Sequence, residues 1–202
     1  MLITVEGIDG AGKSTLVAGL ADALAAREPV VLREPGGVEL SERLRALVKD
    51  PALTVGGRAE ALIYAAARAQ LVEERLRPLL DAGRLVLLDR FVDSSLAYQG
   101  AARGLGVDAV RALNAFGTAG IAPERTLLLR IEPAAGLARV GGRGDAQDRI
   151  EAEREAFWIA CARAYDELAA AEPERWAVID ATLPPERVLA EALAQLAPLL
   201  EP

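Results

Sequence analysis

Gly7-Ile8-Asp9-Gly10-Ala11-Gly12-Lys13-Ser14, followed by Thr15, stands between the apolar run Leu2-Ile3-Thr4-Val5 and the stretch Leu16-Val17-Ala18-Gly19-Leu20. A glycine-rich turn that leaves a strand and opens a helix aims successive backbone N–H groups at one spot, where the helix N-terminus adds its positive end. The spacing G-x-x-x-x-G-K-[ST] supplies a lysine that reaches β/γ-phosphates and a hydroxyl that can hold Mg²⁺. Such a pattern arises by chance on the order of once in a thousand chains of this composition. A plain glycine turn is therefore a poor rival, and Gly7 to Thr15 is read as a nucleotide-binding phosphate loop.

Working outward, the apolar runs 2–6, 29–33, 85–89, 126–131 and 176–180 are each about five residues long and nearly uninterrupted. Runs of that kind fit strands buried on both faces, as in parallel sheets. Between them lie Ala/Leu/Arg/Glu-rich segments at about 13–27, 38–48, 58–80, 107–116, 148–171 and 185–200, whose composition predicts helices. In the fifth, Phe157, Cys161, Ala164, Tyr165 and Leu168 recur at helical spacing, and the stripe is read as core packing. Strands alternating with helices after a phosphate loop predict a doubly wound α/β fold with a five-stranded parallel sheet, its ligands beyond the carboxyl ends of the strands.

Those ends carry Glu6, Arg33-Glu34, Asp89-Arg90, Glu132-Pro133 and Asp180. Asp89 closes its strand in the manner of a carboxylate that holds Mg²⁺ together with Ser14, although an aspartate there also serves as a turn former or cap. Arg90 points at the same crevice, with a surface salt bridge as its plainer reading. The segment Val140-Gly141-Gly142-Arg143-Gly144-Asp145-Ala146-Gln147 holds three glycines around an arginine and predicts a mobile lid at about 140–148, as against a merely flexible connection.

Composition narrows the classes. With 202 residues, 52% of them apolar, the chain suits one domain, 1–202. A net charge of −7 argues against a nucleic-acid footprint, and charged residues interrupt every long apolar run, so no membrane span is expected. A phosphate loop so near the start leaves no room for a signal peptide, and the single Cys161 forms no internal disulfide; both favour the cytoplasm. Histidine is absent, which removes imidazole bases and His-ligated metals. The only lysines are Lys13 and Lys49, so most positive charge rests on arginines, whose planar fork suits phosphate.

Four blocks carry a family resemblance: Glu6 to Thr15, Arg33-Glu34-Pro35-Gly36-Gly37, Asp89-Arg90-Phe91-Val92-Asp93-Ser94-Ser95-Leu96-Ala97-Tyr98-Gln99-Gly100, and Asp148-Arg149-Ile150-Glu151. Together they resemble the bacterial thymidylate kinases over nearly the whole chain. The resemblance implies transfer of the γ-phosphoryl group of ATP to dTMP, with Mg²⁺ as cofactor, a homodimer built from helices packed across a two-fold axis, and a mobile lid. It places Glu34 and Pro35 at the substrate, Tyr64 stacked on thymine, Arg68 hydrogen-bonded to the base, and Ser95 and Gln99 in the base-proximal helix. It also places Arg90 on the dTMP phosphate, Asp9 near sugar and phosphate, and Tyr98 beneath the deoxyribose. Arg139, Arg143 and Arg149 fall in or beside the lid, where this type carries catalytic arginines beside Lys13 and Arg90. Two departures stand out: Ala67 occupies the position where the pattern has Asp or Asn before the arginine, and the lid holds fewer arginines. The rivals are another nucleoside-monophosphate kinase and a P-loop switch protein. The switch is disfavoured because neither lysine follows an asparagine, as the guanine-reading Asn-Lys-x-Asp element requires.

Overall fold

Leu2–Glu6 forms strand β1 with all five residues buried, and its alternate side chains feed two separate cores. Leu2 joins Leu32, Val86, Leu88, Phe91 and Leu71 on one side, while Ile3 and Val5 join Leu20, Leu87, Leu127 and Tyr165 on the other. A two-faced core of this kind is what uninterrupted apolar strands demand. The computed structural model describes residues 1–142 and 147–200.

The chain continues through α1 (Lys13–Ala23), β2 (Val30–Arg33), α2 (Glu39–Lys49) and α3 (Gly57–Leu71). A π-helical stretch, Val72–Leu76, joins α3 to α4 (Arg77–Asp81), and β3 (Val86–Asp89) follows. Next come α5 (Val92–Ser95), which runs on as a π-helical stretch Leu96–Ala102, then α6 (Val107–Thr118), β4 (Arg125–Arg130) and α7 (Pro133–Gly141). The chain closes with α8 (Glu155–Ala171), β5 (Trp176–Asp180) and α9 (Pro185–Leu200). The sheet is five-stranded and wholly parallel, in the order β2-β3-β1-β4-β5. The connection after β1 runs to β2 on one side and that after its neighbour β3 runs to β4 on the other, so the loops after β1 and β3 flank a switch point, and a crevice opens there for ligands.

The five expected strands match to within a residue or so. The stripe of α8 is core: Phe157, Cys161, Ala164, Tyr165 and Leu168 are all buried. The helix expected at 148–171 begins only at Glu155. Asp148 turns its carboxylate onto the N–H groups of Ile150 and Glu151, at 2.8 and 3.0 Å, and this side-chain turn replaces the first helical bonds. Two helices escaped the pattern. The run 92–102 is buried from 93 to 100 on every side and shows no stripe, and α7 is short with an internal glycine.

Candidate active site

Gly12 is the residue before α1 and adopts φ +97°, a left-handed backbone that a glycine takes without strain; it swings the loop into the helix N-terminus. Lys13, first in the helix, is buried and bends back so that its ammonium donates to the Ile8 carbonyl at 2.9 Å and lies 3.8 Å from Asp9. Burial, and then the nearby Arg90, push its pKa down to about 8, against the pull of Asp9, Asp89 and Glu6. The next residue, Ser14, donates its Oγ–H to Asp89 Oδ2 at 3.0 Å, joining the loop to the end of β3.

Arg90 follows Asp89 with φ +70°, a left-handed conformation uncommon outside glycine. That turn aims its guanidinium back over the loop. It donates to the Gly7 carbonyl and Ser94 Oγ, each at 3.0 Å, to the Tyr98 and Tyr165 hydroxyls at 3.1 and 3.4 Å, and to Asp9. Its carbon lies 5.1 Å from the centre of the Tyr98 ring. Behind it Glu6, fully buried, accepts from the Phe91 N–H (2.7 Å), Ser94 Oγ (2.6 Å) and the Tyr165 hydroxyl (2.9 Å). Burial, and secondarily Asp93, push Glu6 up to about 7. Asp9 goes the other way: burial would raise it, but Arg90, Lys13 and Lys49 together hold it below its ordinary value.

Two clefts meet on the phosphate loop. One, of about 280 Å³, is lined by Asp9, Gly10, Gly12, Lys13, Ser14, Thr15, Glu34, Pro35, Tyr64, Asp89, Arg90, Ser95, Tyr98 and Gln99, all predicted site residues. The other, of about 270 Å³, shares Gly10, Gly12 and Thr15, adds Ala11, and is closed by Arg139, Ala181, Leu183 and Pro185. Gly7 and Ile8 border the opposite, α8 side of the loop.

Three predicted site residues stand outside the first cleft. Arg68 is 2% exposed and does not line the cleft; its guanidinium binds Glu34 (2.6 Å), Ser95 Oγ (3.0 Å), the Phe91 carbonyl (2.9 Å) and Asn114. These partners supply the support that Ala67 cannot. Burial pushes Glu34 up to about 7 even against this arginine. Arg139 lies in the second cleft, donating to the Ala181 carbonyl at 3.1 Å, and not beside Arg90. Arg149 is tied to the Val48 carbonyl (2.8 Å) and to Glu60 (2.6 Å), away from the loop. Arg143 lies outside the described residues, as does much of the predicted lid.

Other residues of the first cleft had been given no role in the sequence: Arg33, Arg45 and Lys49 add positive charge to its rim, and Asp148, Ile150 and Glu151 form one wall. The scarcity of lysine singled out Lys49 without giving it a place. Among the described residues no helix is long and apolar enough to cross a membrane, and no cluster of three or more acidic or cysteine side chains could hold a metal alone.

Two compartments joined at one phosphate loop suit a reaction that passes a phosphoryl group between two nucleotides, which is the class of P-loop kinases. Residues 5–192 match the family model described as thymidylate kinase. Thymidylate kinases from Lactobacillus delbrueckii subsp. bulgaricus and Desulfovibrio desulfuricans are 45% and 48% identical, over 95% and 94% of this chain and 92% and 91% of theirs. The crystal structure of thymidylate kinase from Ehrlichia chaffeensis superposes with a TM-score of 0.79 at 28% identity, covering 97% of this chain and 98% of that one. The chain belongs to the thymidylate kinase family. It is a phosphotransferase whose reaction moves the γ-phosphoryl group of ATP to dTMP, giving ADP and dTDP for nucleotide biosynthesis.

Proposed function

We propose that the cleft shared by Arg90, Tyr64 and Gln99 takes dTMP and the cleft closed by Arg139 takes the base of ATP, within a single kinase domain, 1–202. The observation that carries this reading is the wiring of Arg90. It is held at five points between the loop and Tyr98, so it enters the reaction already aimed and loses little freedom on gripping a phosphate. The acceptor is itself a phosphate oxygen and needs no strong base, so a chain without histidine lacks nothing for this chemistry.

In this reading Lys13 and the loop amides from Gly7 to Thr15 hold the donor phosphates. Arg90, with Arg45 and Lys49 nearby, holds the acceptor phosphate in line, while Asp9 fixes Arg90. Tyr64 stacks on thymine, Tyr98 lies under the deoxyribose, and Pro35, Ser95 and Gln99 border the base. Glu34 and Arg68 brace that border from behind, so the base contact expected of Arg68 is relayed through Ser95. Arg143 keeps its assignment to the transferring group, and the segment at about 140–148 its assignment as lid. Ser14 and Asp89, two hard oxygen donors already 3.0 Å apart at the loop, fit Mg²⁺, which takes one or two protein ligands and leaves the rest to phosphate and water. When bound, the ion would neutralise charge on the donor phosphates.

The working unit in this proposal is a homodimer in the cytoplasm, binding neither nucleic acid nor membrane. Leu40 and Leu47 on α2, Leu62 on α3 and Phe116 on α6 are half the exposed large apolar side chains among the described residues, and these helices pack side by side. A second copy of the chain is the occupant proposed for that face. ADP release should be measured with dTMP, dUMP, dCMP, dAMP and dGMP as acceptors. Fastest turnover with dTMP is expected; hydrolysis indifferent to every monophosphate would overturn the acceptor assignment.

A further inference from the structure

Glu60 is fully buried in the first turn of α3, yet no motif singles it out. Its carboxylate gathers three elements. Oε1 accepts from Gln99 Nε2 at 2.9 Å and Arg103 Nε at 3.1 Å; Oε2 accepts from Arg103 Nη2 at 3.0 Å and Arg149 Nη2 at 2.6 Å. Arg103 is itself fixed, 4.6 Å over the Phe157 ring and paired with Glu153 at 2.6 Å. Burial alone would raise Glu60, but the hydrogen bonds from Arg103, Gln99 and Arg149 prevail and hold it below its ordinary value, so it is ionised near neutrality.

An ionised carboxylate only accepts hydrogen bonds. The group Gln99 turns toward Glu60 must therefore be its NH₂, and the oxygen is left for the other side. Gln99 lines the dTMP cleft, and among the described residues its Oε1 accepts no hydrogen bond. A fixed acceptor in that wall reads a ring N–H. Thymine and uracil carry one at N3, whereas cytosine presents a lone pair there.

We propose that Glu60 is a positioning residue for base specificity: by holding the Gln99 carboxamide in one of its two orientations, it makes the cleft accept pyrimidines with N3–H and refuse cytosine. This rests on the cleft being the acceptor-base site, and it adds the residue that sets the polarity of its wall. The same carboxylate ties down Arg149, and with it the wall segment Asp148 to Glu151, so orientation and wall share one anchor. A site built around a buried hydrogen bond discriminates strongly, because the wrong partner leaves a polar group unpaired.

The test is Glu60→Gln. The oxygen of the new carboxamide is drawn to the position between the two guanidinium groups, which puts its NH₂ opposite Gln99. Gln99 should then turn over and present NH₂ to the cleft. The ratio of kcat/KM for dTMP over dCMP should fall at least tenfold, with dCMP turnover rising in absolute terms. Loss of packing alone would lower both substrates together, and an unchanged ratio would overturn the proposal.

Because E60Q leaves a buried site altered, a second measurement uses the wild type. The Gln99 side-chain amide signal in ¹⁵N-labelled protein, identified by its loss in Gln99→Leu, should be protected from solvent exchange with and without dTMP. Free exchange in both states would overturn the role of Glu60 while leaving dTMP turnover untouched. A wild type that does not phosphorylate dTMP would instead overturn the acceptor reading beneath it.

Discussion

At the scale of single residues the site is organised around Arg90. Its contacts are charge-assisted and largely desolvated, so Arg90→Ala should cost about 2–4 kcal/mol in kcat/KM for dTMP and leave ATP affinity nearly unchanged. Steady-state kinetics with each substrate varied would check this, and a loss confined to ATP would mark Arg90 as an ion-pair partner only. Glu6, beneath it, makes stability depend on pH. The unfolded chain releases this proton near pH 4.5, whereas the folded chain keeps it to about 7. Between those values the native state binds more protons, so stability falls as pH rises through the window. Urea titrations of wild type and Glu6→Gln should diverge between pH 4.5 and 7, by on the order of 3 kcal/mol at the upper end; parallel curves would show that Glu6 titrates normally. The phosphate loop, Asp89 and Arg90 were legible because backbone geometry ties phosphate binding to residue spacing. Glu60 and Glu6 were not, because a buried carboxylate takes its meaning from partners distant in the sequence.

At the scale of elements, the strands could be read directly, since a strand buried on both faces is written as an unbroken apolar run. Helix α7 was missed, and it is the element that brings Arg139 to the second cleft. Its Gly136 packs against the phosphate loop: a Cβ there would sit 2.7 Å from the Asp9 carbonyl oxygen, and one on Gly10 would collide with the Gly136 carbonyl. Backbone meets backbone at this point, and neither side can yield as a flexible side chain would. Gly136→Ala should therefore push α7 off the loop at a cost of about 1–3 kcal/mol in stability, with a raised KM for ATP. Thermal melting with and without ATP would measure both effects, and a variant matching wild type would show that α7 shifts freely. Arg139 rides on the same helix beside the second cleft. Arg139→Ala should weaken ATP binding more than it lowers kcat, which titration against single-turnover rates can separate; a large loss of kcat with normal ATP affinity would move Arg139 to the transferring group.

At the scale of the whole molecule, helix α3 faces two ways. Its inner side carries Tyr64 into the first cleft and buries Arg68 and Glu60 behind it, while Leu62 on its outer side is 57% exposed. Alongside it, α6 approaches closely because Gly117 has no side chain: a Cβ there would meet the Ala65 carbonyl oxygen at 3.3 Å and Ala69 Cβ at 3.4 Å. The neighbouring Phe116 is left 92% exposed. A large aromatic ring held out on a rigid helix pair is costly in water and effective as an interface anchor. If a second copy covers this face, dimerisation braces α3 from behind, and dTMP binding becomes sensitive to assembly. The double substitution Leu62→Asp and Phe116→Asp, both on exposed positions, should give a folded protein of the single-chain mass by light scattering. Its melting temperature should be lower and its KM for dTMP several-fold higher, with KM for ATP spared. A wild type that runs at the single-chain mass would overturn the dimer itself, and a double variant that still runs at twice that mass would place the self-association face elsewhere.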